Sequence, residues 1–240
     1  MKNLRIGMKL SMAMGLLLVI MVGLGLLSIS RLSVVNDQST IIAENWMPSV
    51  EVLGRINLQI ANVRLAHARL VMAATADERN GVIKDLDERY QTLDSFLKDY
   101  VAMISSDEER SLYDAFSTQL EKYRTESADM TKLALDGKAD EAETWYKVNG
   151  KAIFGDVSAA LKKLTELNAN GGKAASDEAD AIYSSSRILI IVSLIIATIF
   201  GVIASLVLVR GISRPATAIA STLQTMSTGN LDIQVPETDR

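Results

Sequence analysis

The sequence predicts an all-α membrane protein in which two transmembrane helices flank an extracytoplasmic antiparallel four-helix bundle. Three observations carry that expectation. Residues 188–209 contain no ionisable side chain and lie between Arg187 and Arg210. Residues 10–30 are likewise uncharged and lie between Lys9 and Arg31. The long segment between these stretches is dense in Ala, Leu, Lys, Glu and Asp and has no run of alternating β-branched residues, so it reads as helical throughout.

Each apolar stretch is about 20 residues, which at about 1.5 Å rise per residue crosses a bilayer as a helix. A helix also satisfies its own backbone amides and carbonyls, as hydrocarbon requires. For residues 10–30 the competing reading is a cleaved signal peptide, whose apolar core is typically about 7–15 residues long and ends in a small-x-small site. Ser28-Ile29-Ser30 is a poor version of such a site, so an uncleaved helix is expected. Lys2, Arg5 and Lys9 on one side and Arg210 and Arg214 on the other place both chain ends in the cytoplasm by the positive-inside rule. The expected organisation is a cytoplasmic tail at 1–9, a first span at 10–30, an extracytoplasmic helical bundle at 31–187, a second span at 188–209 and a cytoplasmic segment at 210–240.

Composition agrees with this division. The chain is 48% hydrophobic with only 5% aromatic residues, as two lipid-facing segments and a helical remainder would give. A net charge of -4 and the lack of a basic stripe exclude nucleic acid as a partner. Without cysteine there is no disulfide framework and no thiolate metal site.

Within 31–187, breaks are readable near Ala76-Asp77, at Ser105-Ser106-Asp107 and at Asp136-Gly137. They predict helices at about 31–76, 78–104, 107–135 and 139–187. Ser106 and Glu109 have capping-box spacing, and Gly137 suits the left-handed position past a helix end. Four such helices assemble most simply as an antiparallel bundle. Pro48, in Glu44-Asn-Trp-Met-Pro-Ser49, should kink or interrupt the first helix, with Trp46 packing at the bend. Gly171-Gly172 marks a second soft spot, read as close helix approach or local flexibility.

The first helix of the bundle is apolar on two sides. Leu53, Ile56, Ile60, Val63, His67, Leu70 and Ala74 form one seam, and Leu58, Ala61, Leu65, Ala68 and Met72 form another. At about 100° per residue the two seams lie about 150° apart. Such a helix needs two partners, so a homodimer packed through the second seam is expected. Arg64 and Arg69 flank that seam about 140° apart. They cannot reach one ligand from a single helix, but Arg64 of one chain and Arg69 of the other could bind a carboxylate across a two-fold axis. The bland alternative is that both are ordinary solvated or ion-paired side chains.

His67 is the only histidine and lies on an apolar seam. It reads as a core residue with a local hydrogen bond, since it lacks companion metal ligands. No Ser/His/Asp set or Gly-rich phosphate loop is present, so neither an enzyme nor a cofactor is expected. Carboxylates such as those in Lys84-Asp-Leu-Asp-Glu-Arg89 alternate with cations and read as solvated faces.

After the second span, Ile212, Ala216, Ile219, Leu223 and Met226 recur at helical spacing, with Pro215 in the first turn. The pattern stops at Gly229-Asn230, and Leu231 to Val235, followed by Pro236, reads as an extended connector. An arginine-flanked span, then Ile-x-x-Pro, an amphipathic helix and Gly-Asn-Leu resembles the start of a HAMP linker, ending before that module's second helix. The whole layout resembles a methyl-accepting chemotaxis protein, a bacterial transmembrane chemoreceptor, over essentially all 240 residues. The Asn-Trp-Met-Pro-Ser stretch and the Arg64 to Arg69 spacing also resemble that family.

The resemblance implies a bacterial inner-membrane receptor whose periplasmic bundle at 31–187 is a sensor that binds a small anionic organic ligand, an organic acid or amino acid, with 210–240 as part of the HAMP linker. It also implies a cytoplasmic chemotaxis kinase and adaptor as partners, engaged through a signalling module beyond residue 240. In amino-acid-sensing members, arginines at this spacing bind ligand carboxylate from both subunits, and a third lies four residues further on. Here that position is Ala73, a departure that bears on ligand identity. Thr75, Tyr146 and Lys151 complete the candidate pocket, chosen for their place in the membrane-distal half of the bundle. Two other readings stay open: the same sensor joined to a histidine kinase or cyclic-dinucleotide synthase, and a structural membrane protein or a sensor that reads a binding protein.

Overall fold

A computed structural model of the chain describes residues 6–227. Lys2 and Arg5, and the connector from Gly229 to Pro236, lie outside the described residues. Helix α1 spans Ile6–Ile41 and passes through a π-turn, Ile42–Trp46, into α2, Met47–Met72. Then come α3 (Ala76–Val101), α4 (Asp107–Leu135), α5 (Ala139–Lys147) and α6 (Asn149–Leu208). A second π-turn, Val209–Ser213, leads to α7, Arg214–Ser227, which has Pro215 in its first turn. There is no strand among the described residues. The chain divides into two compact units, Asn36–Ala179 and the pair Met1–Val35 with Asp180–Arg240.

The unit Asn36–Ala179 is the helical bundle. Heptad-like spacing on each helix supplies its core: Leu53, Ile56, Ile60, Val63 and Leu70 from α2, Leu86, Leu93 and Tyr100 from α3, Phe116, Tyr123 and Met130 from α4, and Ile153, Val157, Leu161 and Leu164 from α6. The first seam expected on α2 is therefore the buried one, except at its end, where Ala74 is exposed beyond the helix. The second seam stays on the outside, with Leu58 63%, Leu65 61% and Met72 81% exposed.

Local chemistry sets the helix ends. Thr75 is extended (φ -112°, ψ 159°) and caps α3: its hydroxyl accepts from the Glu78 amide, and the Glu78 carboxylate accepts from the Thr75 amide. The box expected at Ser106 and Glu109 is only half formed. Ser106 Oγ accepts from the Glu109 amide at 3.2 Å, but the Glu109 carboxylate turns inward and takes the Ser105 amide instead. Gly137 adopts φ 78°, and the Lys138 amide closes on the Leu133 carbonyl at 3.0 Å, as a Schellman end requires.

The last bundle helix, expected as one piece from 139, is divided at Val148 (φ -106°, ψ -75°) into α5 and α6. Arg64 donates to the Gly150 carbonyl in the first turn of α6.

The π-turn lies just ahead of Pro48, whose ring would crowd the carbonyl four residues earlier and which has no amide to offer. The Met47 amide bonds to the Ile42 carbonyl, five residues back, so the helix widens by one residue and continues. Trp46, at the end of this turn, packs against Gly171 and Gly172 of α6: a Cβ built on Gly171 would lie 2.5 Å from the ring. Close approach is thus the role of the glycine pair. Gly171→Ala is expected to lower stability by about 1–3 kcal/mol through overpacking, read from the urea midpoint of the bundle. Trp46→Phe in the same chain should recover part of that loss, because the two sites share one contact.

The other unit holds the apolar parts of α1 and α6. The stretches Leu10–Met72 and Ala139–Gln224 each contain helix long and apolar enough to cross a membrane, and their most apolar windows are unburied.

Candidate functional site

The five residues expected to form a pocket do not share one position within a single chain. Arg64 and Tyr146 come together. Arg64 leaves α2 toward α5 and the start of α6, where its Nη1 donates to the Gly150 carbonyl at 2.9 Å. Its guanidinium carbon lies 4.5 Å from the Tyr146 ring centre and 4.7 Å from that of Phe154, so the cation is held between two aromatic faces. Among the described residues no carboxylate pairs with it. Lys151 follows Gly150 directly and is exposed.

Arg69 is held elsewhere. Its Nη1 donates to Asp85 Oδ2 at 3.0 Å, and Arg89 Nε reaches the same oxygen at 3.0 Å. Two cations on one carboxylate leave a net positive charge on this face of α2 and α3. Thr75 is occupied in capping α3, so its hydroxyl oxygen already accepts one bond.

Behind Arg64 is a pair that links the site to the core. His67 Nδ1 and Tyr123 Oη are 2.9 Å apart, both side chains are buried, and their rings meet edge to face at 5.6 Å. Burial, with the nearby Arg64 charge adding to it, pushes the His67 pKa from its ordinary 6.5 down to about 4. The imidazole is therefore neutral at neutral pH. Burial pushes the Tyr123 phenol well above its ordinary range, and Arg64 opposes that shift.

The sequence places His67 in the core with a local hydrogen bond; it is in the core, but its bond reaches across to Tyr123 of α4 instead of staying local. The sequence did not identify Tyr123, Phe154 or the Gly150 carbonyl as neighbours of Arg64. Tyr123 shares a heptad position with Phe116 and Met130 and carries no signal beyond core. Phe154 is separated from Tyr146 by the break at Val148, which removes any helical spacing between them.

Because His67 is neutral when folded and titrates near 6.5 when unfolded, protonation favours the unfolded chain. Stability is retained above about pH 6.5 and falls as pH drops toward about 4, by an amount on the order of 3 kcal/mol. Thermal unfolding across pH 7 to 4 should show this decline. His67→Gln should flatten the upper part of it, between about pH 6.5 and 5, while acid losses due to carboxylates begin only near pH 5 and remain.

Comparison with known proteins agrees with this architecture. Residues 3–183 match the family model described as a four helix bundle sensory module for signal transduction. A protein of Bacillus subtilis (strain 168), named as a sensory transducer, YvaQ, is 19% identical over 209 residues, which is 87% of this chain. The chain spans 36% of that relative's length. The matched segment covers the bundle and the whole of α1, so the chain belongs to the family of four-helix-bundle sensory modules for signal transduction.

Proposed function

We propose that this protein is the sensor portion of a transmembrane chemoreceptor that binds a small anionic organic ligand, an organic acid or an amino acid. The observation that carries the reading is Arg64: a half-buried guanidinium walled by Tyr146 and Phe154, with no carboxylate paired to it among the described residues. Five N–H donors belong to a guanidinium, and the Gly150 carbonyl uses one of them. An incoming carboxylate would find unused donors in a partly desolvated setting.

The second half of the site is Arg69 of a partner copy, with both copies joined through the exposed seam of Leu58, Leu65 and Met72. The net charge left by Arg69 and Arg89 on Asp85 favours the same ligand class. Thr75 and Lys151 belong to the rim of this pocket, with Tyr146 in its wall. The bundle lies in the periplasm with both chain ends in the cytoplasm. A ligand that prefers one arrangement of α2 and α6 shifts the population by its difference in affinity, typically about 1–3 kcal/mol. That shift passes along α6 to α7, read as the first helix of a HAMP linker, and on to a signalling module that engages a chemotaxis kinase and adaptor. In an alternative reading the same sensor and linker serve a membrane histidine kinase or a cyclic-dinucleotide enzyme.

The test is a thermal-shift series on the full chain in detergent micelles with succinate, malate, citrate, benzoate, aspartate and serine. A binding acid at 100 times its Kd should add about 2.7 kcal/mol to the folded state. The response should vanish in Arg64→Ala and in Arg69→Ala. No shift with any acid would overturn the anion reading. Leu65→Glu should convert a dimer to a monomer in light scattering, and a dimer unchanged by that substitution would remove the seam as its interface.

A further inference from the structure

In the unit formed by Met1–Val35 and Asp180–Arg240, a cleft of about 370 Å³ lies between α1 and α6. It is lined by Ser28, Arg31, Leu32 and Val35 from α1 and by Tyr183, Ser186, Arg187, Ile190 and Ile191 from α6. Arg31 and Arg187 are the first charges beyond the two apolar stretches, so they mark the rim of the hydrocarbon on both helices. No acidic side chain lines the cleft. Ser186 is more than nine-tenths buried, and its hydroxyl has no hydrogen-bond partner.

A buried hydroxyl is ordinarily bonded, and leaving one unmade costs about 1–3 kcal/mol. Arg31, Ser186 and Arg187 thus put two cations and an unpartnered hydroxyl into the lining of an otherwise mostly apolar cleft. On its span side, Ser28, Ile190 and Ile191 continue it into the apolar stretch.

We propose that this cleft binds one anionic glycerophospholipid. The headgroup phosphate is held by Arg31, Arg187 and the Ser186 hydroxyl, and one acyl chain lies along Ile190 and Ile191. A free phosphate would leave the apolar wall uncovered. A zwitterionic lipid would bring its own cation to a site that already holds two. Tyr183, 59% exposed at the rim, has the amphipathic ring that headgroup level favours. The site differs from the Arg64 pocket in location and in ligand, and it rests on the reading that both apolar helices cross a bilayer.

The experiment is native mass spectrometry of the detergent-solubilised full chain, incubated with equal amounts of phosphatidylglycerol and phosphatidylcholine bearing the same acyl chains. Each arginine near a membrane surface is worth about fivefold in preference for an anionic lipid, so the pair should give about 25-fold. Arg31→Gln or Arg187→Gln alone should leave about fivefold, and the double variant should bring the two lipids to parity. Arg210→Gln with Arg214→Gln should leave the preference unchanged.

Ser28→Phe fills the cleft without altering charge and should reduce retention of both lipids, which keeps the test decisive if the double variant loses its helical circular dichroism. Equal retention by the unaltered chain, or a preference that survives the double variant, would overturn the proposal. Displacement of the lipid by millimolar inorganic phosphate would also overturn it, by showing a site for the free anion. Alkaline carbonate extraction of the chain from vesicles tests the spanning reading separately: a chain released by carbonate fails that reading whatever its lipid preference.

Discussion

The bundle depends on one buried carboxylate. Glu109 is fully buried at the start of α4, and its carboxyl oxygens have to find partners inside the protein. Tyr100 of α3 donates its hydroxyl to Oε1 at 2.7 Å, Asn168 of α6 donates Nδ2 to the same oxygen at 3.1 Å, and the Ser105 amide donates to Oε2 at 2.9 Å. Three helices and a loop therefore agree on one register. Burial, with the Glu109 interaction adding to it, raises the Tyr100 phenol far above its ordinary range, which keeps it a donor. Asn45, in the π-turn, reaches the same loop by donating to the Met103 carbonyl at 3.0 Å. A slip of any member by one turn would strand buried polar groups without partners, so the polar cluster selects a single arrangement where apolar seams alone would tolerate several.

With the register fixed at that end, α2 presents one face inward and one outward. Arg64 lies where the two faces meet, touching α5 and α6 through its guanidinium and the core through its effect on His67 and Tyr123. An anion on Arg64 would reduce the positive potential felt by His67 and Tyr123, so the neutral pair behind the site responds electrostatically to what stands in front of it. The exposed face of α2 carries no comparable constraint.

The fold class was legible because each helix repeats its apolar residues at three- and four-residue steps, and because the turn chemistry at Gly137 and Ser106 is local. The two seams of α2 could be separated for the same reason. Glu109 could not be recognised as buried, because a glutamate three residues after a serine reads as a solvated cap, and only the fold supplies Tyr100 and Asn168. The capping role of Thr75 was legible too, since Glu78 stands three positions on. Arg64 was identifiable from its position beside the seam. Its aromatic walls were not, since they come from both sides of the break at Val148, which no glycine or proline at that position announces. Arg69 and Asp85 lie on consecutive helices, and their pairing follows from the hairpin geometry.

The π-turn at 42–46 has a bearing on how the chain can be counted. A turn closed five residues back contains one residue more than its α-helical neighbours. The heptad lettering that assigns Leu58, Leu65 and Met72 to one stripe therefore loses its phase on crossing Trp46. Residues of α1 that would fall on the same stripe by arithmetic lie about 100° away from it. The second π-turn, at 209–213, resets the frame again between α6 and α7. Any alignment of this chain by a continuous seven-residue ruler must be cut at those two places, and a single-residue gap there is a change of frame that the backbone already accommodates.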